Sequence, residues 1–305
     1  MGRNPESAPT GSTGSTIGSH PTARELRVAE RAENFPVAMR LLPGRDQRRL
    51  RVLYDTVRTI DDTSDRTPGD ATAALHALRD DLDRIWTPGP GPQAPVLRRL
   101  AETVRELGLS AAPFHGLIAA GLADQQVTAY GNFGELRDYC RLSADPVGRL
   151  VLATFGVRDP AAEALSDQVC TALQLLEHWQ DVAEDRRLGR IYLPADDMAA
   201  FGVVPADLDA AVAGPSLRAL LRFETDRAAR LLVAGSRLVG SLRGFARVAV
   251  AGYVGGGVAT VQALRRSGFD SLRATPRPRP ADVAVAALRV AVHGDAAWAA
   301  TLCAG

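Results

Sequence analysis

An all-α fold is predicted by three features of the chain. Apolar residues recur at i, i+3 and i+4 from Ala23 to about Phe269. No stretch shows convincing strand alternation. Clusters of Pro and Gly punctuate the periodic segments. Together these describe one helical domain, residues 22–272, after a Gly-, Ser-, Thr- and Pro-rich tail at 1–21 whose composition predicts disorder.

The helices follow in order. The first is read at 23–32, the second at 46–62, where Val52, Leu53, Val57 and Ile60 form the buried stripe. Segments 71–86 and 94–107 flank the breaker Thr87-Pro88-Gly89-Pro90-Gly91-Pro92. Shorter segments follow at 112–121, 134–140 and 145–155. A continuous helix is read over 161–184, ended by the run from Gly189 to Pro194. Segments 216–238 and 242–266 complete the domain, and the glycines from Gly252 to Gly257 sit inside a helical pattern as sites of close packing. The Pro/Arg stretch Thr275-Pro276-Arg277-Pro278-Arg279-Pro280 opens the last unit, 273–305. Within it 281–292 reads as a packed helix with Val283, Ala287, Leu288 and Val292 on one side, in preference to a membrane-surface helix because the segment is poor in basic residues.

Composition excludes several chemistries. The chain has 305 residues, 46% of them hydrophobic, and a net charge of +1, so nothing draws it as a whole towards nucleic acid. All 36 basic residues are Arg, which rules out a Schiff-base lysine and a P-loop lysine. Cys140, Cys170 and Cys303 form neither a zinc spacing nor a disulfide framework. The expected setting is reduced and cytoplasmic, with no secretory signal and no membrane span.

Two acidic motifs carry the chemistry. The first is Asp61-Asp62-Thr63-Ser64-Asp65, and the second is Asp181-Val182-Ala183-Glu184-Asp185. Positions four apart share a helix face, so Asp61 pairs with Asp65, and Glu177, Asp181 and Asp185 form an acidic stripe. Crowded carboxylates repel unless a cation lies between them. Hard oxygen donors suit Mg²⁺, which is held by one or two carboxylates plus a substrate's phosphates. The plain alternatives are a solvated helix end paired to Arg58, and an exposed face relieved by Arg186 and Arg187. Arg190, in the loop after the second motif, is either a phosphate fork or a solvated side chain. His178 is read as packed or hydrogen-bonded rather than as a metal ligand.

Arg58-x-x-Asp61-Asp62-x-x-Asp65, together with Asp181-x-x-Glu184-Asp185 and Gly189-Arg190-x-Tyr192-Leu193-Pro194, resembles the squalene/phytoene synthase family. Tyr139-Cys140 before Pro146-Val147-Gly148, and Gln174-Leu175, extend the likeness over roughly residues 25–272. Glu33-Asn34-Phe35-Pro36-Val37-Ala38, Ser143 to Leu150 and Trp179-Gln180-Asp181-Val182 are most similar to its HpnC (hydroxysqualene synthase) branch.

The resemblance implies an isoprenoid-synthase helical bundle around a central apolar cavity. It implies Mg²⁺ on Asp61, Asp65, Asp181 and Asp185, with Asp62 and Glu177 assisting. Arg58, Arg190 and Tyr192 would hold the leaving diphosphate. Asn34, Phe35, Tyr54, Tyr139 and Gln180 complete the implied substrate contacts, and Phe133 is a further aromatic candidate for facing a cation. Asp124 is a metal-site or structural helper. Where many family members carry Asn and Arg, this chain has Glu177 and Gln180, a change that implies weakened condensation of two substrates.

The implied reaction converts presqualene diphosphate to hydroxysqualene without nicotinamide. Neighbouring squalene-pathway enzymes are the implied partners, with peripheral membrane contact for release of a lipid product. Competing readings are head-to-head condensation of farnesyl or geranylgeranyl diphosphate, prenylation of an aromatic acceptor, and a non-catalytic prenyl-diphosphate binder.

Overall fold

The computed structural model describes residues 42–67 and 69–299. The tail at 1–21, the helix read at 23–32, Asn34, Phe35 and Cys303 lie outside the described residues. Among those described, regular structure is helical, and the only strand-like pairing is an isolated bridge between Ala129 and Ile191.

The helices are α1 (Gly44–Arg66), α2 (Ala71–Asp83), α3 (Pro95–Leu107), α4 (Ala112–Asp124), α5 (Phe133–Ser143), α6 (Asp145–Thr154) and α7 (Pro160–Gln180). Then come α8 (Val182–Arg187), α9 (Ala195–Ala200), α10 (Pro215–Ser236), α11 (Leu238–Ser241), α12 (Gly244–Arg266) and α13 (Pro280–His293). A 3₁₀ turn at Pro205–Asp209 and the short α9 went unread in the sequence, since neither is long enough to show a period.

Local chemistry sets many of the ends. Asp70 caps α2 by accepting from the Ala73 N–H at 2.9 Å, and Asp159 caps α7 ahead of Pro160 by accepting from Ala161. Asn132 caps α5 while Glu135 reaches back to the Gly131 N–H. α1 buries three threonines without orphaning them: Thr56, Thr59 and Thr63 each donate to the carbonyl four residues earlier.

The helix read as continuous over 161–184 is broken at Asp181, whose backbone sits at φ −103° and ψ 20°. The Ser271 hydroxyl donates to the Trp179 carbonyl, an acceptor of the helical ladder, and the Gln180 amide donates to the Pro276 carbonyl. Side chains entering a ladder bend helices in this way. The Pro/Arg segment is therefore strapped onto the end of α7.

Two apolar clusters flank the future site. The larger gathers α7, α10 and α12 around Leu175, Trp179, Leu221 and Val254, and the smaller gathers α1 to α4 around Ile60, Leu75, Leu100 and Phe114. α6 serves both, with Leu152 in the first and Leu150 in the second. The Gly-rich stretch packs closely as expected. A Cβ on Gly255 would lie 2.4 Å from the Ala287 nitrogen, and one on Gly257 would lie 2.8 Å from Leu173 and Leu232.

One expectation about the last helix changes. α13 buries Val283, Ala286 and Val290, whereas Leu288 and Val292 face outward. An almost wholly apolar helix has no period from which to choose its inner face. α12 is also long and apolar enough by composition to cross a membrane, although 67% of its most apolar window is buried within the bundle.

Candidate active site

α1 ends on the first acidic motif. Arg58 lies 3.2 Å from Asp62, one turn on, and Arg66 lies 3.3 Å from the same carboxylate. The end of α1 is fastened to α4: Ser64 donates to the Gly121 carbonyl, and the Gln125 amide donates to Ser64. This brings Asp124, the last residue of α4, to the same opening.

The second motif straddles the break after α7. Burial raises the Asp181 pKa, and Glu184 and Asp185 raise it further, while the Thr275 hydroxyl and Arg277 pull it back. The loop that follows is set by backbone bonds. Arg190 N–H donates to the Asp185 carbonyl at 2.9 Å, Ile191 N–H to Thr128 at 2.8 Å, and Ala195 N–H to Tyr130 at 3.0 Å. Arg190 is thereby aimed across the opening, where Nη1 and Nη2 each lie 3.0 Å from Asp65 Oδ1.

Behind the carboxylates lies an aromatic cluster. Tyr139 and Tyr192 donate their hydroxyls to Asp124 at 2.8 and 3.3 Å. Burial pushes the Asp124 carboxyl up, the Tyr139 bond pulls it down, and both tyrosines are raised by burial. The Tyr192 ring stacks on His178 with centroids 3.6 Å apart. Gln174 donates to His178 Nε2 at 3.2 Å, and His178 Nδ1 lies 3.5 Å from Asp185. His178 is thus packed and hydrogen-bonded.

These groups surround one cavity of about 570 Å³, inside the usual range of roughly 300–1,000 Å³ for a small-molecule site. Its mouth carries Asp61, Asp62, Asp65, Glu177, Asp181 and Asp185, with Arg58, Arg190, Tyr54, Tyr139 and Tyr192 also on its walls. Its depth is lined by Val147, Val151, Val169, Leu173, Leu238 and Val250. Two helices approach closely here, because a Cβ on Gly148 would lie 2.4 Å from Ser166 Oγ and 2.5 Å from Cys170 Sγ.

Two expected contacts fall elsewhere. Gln180 does not line the cavity; its amide is turned onto the Pro276 carbonyl. Phe133 lies under Arg227, whose guanidinium carbon is 4.3 Å from the ring centroid, and it packs against the larger core. Among the charged and aromatic wall residues, Arg66 and Tyr253 were not singled out from the sequence, while Glu184 and His178 were named there without being placed at the site. Glu184 stood inside the motif and could have been found there. Tyr253 carried no signal, since its neighbours marked only close packing.

Charge is uneven across the mouth. Eight carboxylates (Asp61, Asp62, Asp65, Asp124, Glu177, Asp181, Glu184, Asp185) face three guanidiniums (Arg58, Arg66, Arg190). A diphosphate entering alone would meet repulsion. Among the described residues no three His, Cys, Asp or Glu side chains converge as a ready-made ion cage. Separate hard-oxygen donors on opposing helices fit Mg²⁺ ions completed by phosphate oxygens.

Two acidic motifs at the mouth of an apolar pocket in a helical bundle define an isoprenoid-synthase fold. The chain matches squalene/phytoene synthase over residues 28–283, and it belongs to that family of enzymes. The phytoene synthase of Mycobacterium tuberculosis is 37% identical over 213 residues, which is 68% of this chain and 69% of the relative. The hydroxysqualene synthase of Rhodopseudomonas palustris is 34% identical over 227 residues, 73% of this chain and 77% of the relative. The crystal structure of squalene synthase HpnC from Alicyclobacillus acidocaldarius superposes with a TM-score of 0.73 at 37% identity, covering 80% of this chain and 93% of that one.

Proposed function

We propose that the enzyme converts presqualene diphosphate and water to hydroxysqualene and diphosphate in squalene biosynthesis. The observation that supports this most is the joining of both acidic motifs to a single apolar pocket. The C–O bond to diphosphate breaks, and its electron pair leaves with the diphosphate. The cyclopropylcarbinyl cation rearranges, water oxygen bonds to carbon, and a proton is released.

Asp61, Asp65, Asp181 and Asp185, with Asp62 and Glu177, would hold Mg²⁺. Bound there, Mg²⁺ supplies positive charge for the leaving diphosphate. Arg190 and Arg58 add guanidinium donors at the same edge, where charge develops as the bond breaks. Asp124 fixes the hydroxyls of Tyr139 and Tyr192 and so orients both rings. Tyr54, Tyr139 and Tyr253 line the pocket, where their rings would stabilise a carbocation. Valines and leucines in the depth keep bulk water from the cation.

A second reading is head-to-head condensation of two prenyl diphosphates, as in phytoene synthesis. The likeness to the mycobacterial phytoene synthase favours it. Purified protein with Mg²⁺ and presqualene diphosphate, without reductant, is expected to yield hydroxysqualene by mass spectrometry. Asp61→Ala or Asp181→Ala is expected to abolish it. Product from farnesyl or geranylgeranyl diphosphate, with none from presqualene diphosphate, would establish the condensing reading. Binding without diphosphate release would leave a non-catalytic binder.

A further inference from the structure

The pocket is not apolar on every side. One face of α7, continued past its end, carries Ser166, Cys170, Gln174, Glu177 and Asp181, and all five line the cavity. Their spacings of 4, 4, 3 and 4 keep them in one file. From Glu177 at the mouth back to Ser166 the file covers eleven residues, about 16 Å of helix. It therefore runs from the acidic edge into the depth, where Val147, Val151 and Val250 form the rest of the wall.

The deep members of the file are polar but uncharged. Ser166 is 4% exposed. The Ser166 hydroxyl and the Gly148 N–H donate to the Cys170 sulfur. Burial pushes the Cys170 thiol up to about 12, so it keeps its proton. Ser166 is left with two lone pairs and Cys170 with its S–H, an acceptor and a donor side by side. One turn nearer the mouth, Gln174 spends its NH₂ on His178 and keeps Oε1 as an acceptor. Ser143, also on the cavity wall, has a buried Oγ with no partner among the described residues. An unpaired buried hydroxyl is destabilising, and a polar occupant of the cavity relieves it.

Water stays in a cavity only where about two to four polar groups hold it, and a wholly apolar cavity stays dry. Capture of a carbocation by water needs one water deep in the pocket with bulk water kept out. A pair of neutral groups set in a wall of valines meets both conditions.

We propose that Ser166 and Cys170 position the water that captures the carbocation, and so decide between alcohol and hydrocarbon as product. This rests on the reaction proposed above. The water oxygen gives an electron pair to the cationic carbon and forms the C–O bond. One water proton passes to an oxygen of the released diphosphate, and the other stays on the new hydroxyl. Without a held water, the carbon beside the cation gives its proton to the same diphosphate. The C–H electron pair closes a double bond, and the product is a hydrocarbon lighter than hydroxysqualene by one water.

Purified variants are given Mg²⁺ and presqualene diphosphate without reductant, and the ratio of hydroxysqualene to hydrocarbon is read by mass spectrometry. Ser166→Ala with Cys170→Val should cut the ratio by about tenfold or more. Ser166→Ala and Cys170→Val singly, which test the same point if the double variant does not fold, should each cut it about threefold. Cys170→Ser keeps a donor and should hold the ratio within about twofold of wild type. A purely structural role would change stability and turnover but not the partition of one cation between two products. Unchanged ratios in the Ala and Val variants, or a Cys170→Ser ratio as low as theirs, overturn the proposal while hydroxysqualene from wild type leaves the reaction standing. A wild type that forms no hydroxysqualene overturns the reaction and this proposal with it.

Discussion

Arg190 and Asp65 are 125 residues apart and form a two-nitrogen clasp, with Nη1 and Nη2 each 3.0 Å from Oδ1. The Arg190 backbone is bonded to Asp185, so one residue joins the two acidic motifs. Asp65 is 46% exposed, and such half-solvated pairs contribute only about 0–1 kcal/mol. Arg190→Gln should therefore leave the melting temperature nearly unchanged. Turnover should fall by about a hundredfold, the usual loss when one donor to developing charge is removed. Melting curves and kcat/KM on the same preparation check this. A large stability loss with normal kinetics would make the clasp a strut.

The scattered carboxylates make a prediction about metal. No three of them among the described residues form a cage, so Mg²⁺ alone should bind weakly. Mg²⁺ and inorganic pyrophosphate together should complete each other's coordination. A ligand at a hundred times its dissociation constant stabilises by about 2.7 kcal/mol. Thermal shift should therefore be small with either component and several degrees with both. A full shift with Mg²⁺ alone would mean a preformed metal site.

Why some of this was legible in the sequence, and some not, follows from the kind of information each feature carries. The long helices show in the apolar period, because burial on one face repeats every turn. Asp61 with Asp65, and Glu177 with Asp181 and Asp185, sit on short local spacings, so each acidic face was foreseeable, whereas their meeting at one opening was implied only by the family resemblance. The break at Asp181 was hidden because its cause, Ser271 on the Trp179 carbonyl, is 92 residues away in sequence. Gln180 was misplaced for the same reason, being drawn to Pro276. Tyr253 points into the cavity from a helix whose glycines advertised only packing. The exposed ridge of α13 could not be foreseen, since nearly every residue of that helix is apolar.

Gly148 tests whether the close approach of α6 and α7 shapes the pocket. A methyl group there would meet Ser166 Oγ and Cys170 Sγ at 2.4 and 2.5 Å, so both side chains must rotate away or the two helices must part. Overpacking of this kind costs about 1–3 kcal/mol. Gly148→Ala should lower the unfolding free energy measured by denaturant titration by that amount and also reduce turnover, because both neighbours line the cavity. Ser166→Ala in the same chain should restore part of the stability by removing Oγ, since the Ser166 Cβ would stay 3.6 Å away. No rescue would place the strain in the backbone.

Glu224 sets a pH dependence that is separate from the pocket. It is fully buried, and burial raises its pKa from 4.5 to about 8 despite the Arg227 guanidinium 3.0 Å away. Arg227 is shared with Asp197 at 2.7 Å, and Asp197 itself adds to the upward shift. An acid with a raised folded-state pKa binds its proton more tightly when folded. Its contribution to stability is complete below about pH 4.5 and is lost as pH rises through about 8. Glu224→Gln carries no such proton, so the stability difference between wild type and variant should favour wild type most at the acid end. It should then shrink across pH 4.5 to 8. Urea titrations at several pH values measure it. A difference that stays constant, or grows with pH, would mean that Arg227 outweighs burial and keeps Glu224 ionised throughout.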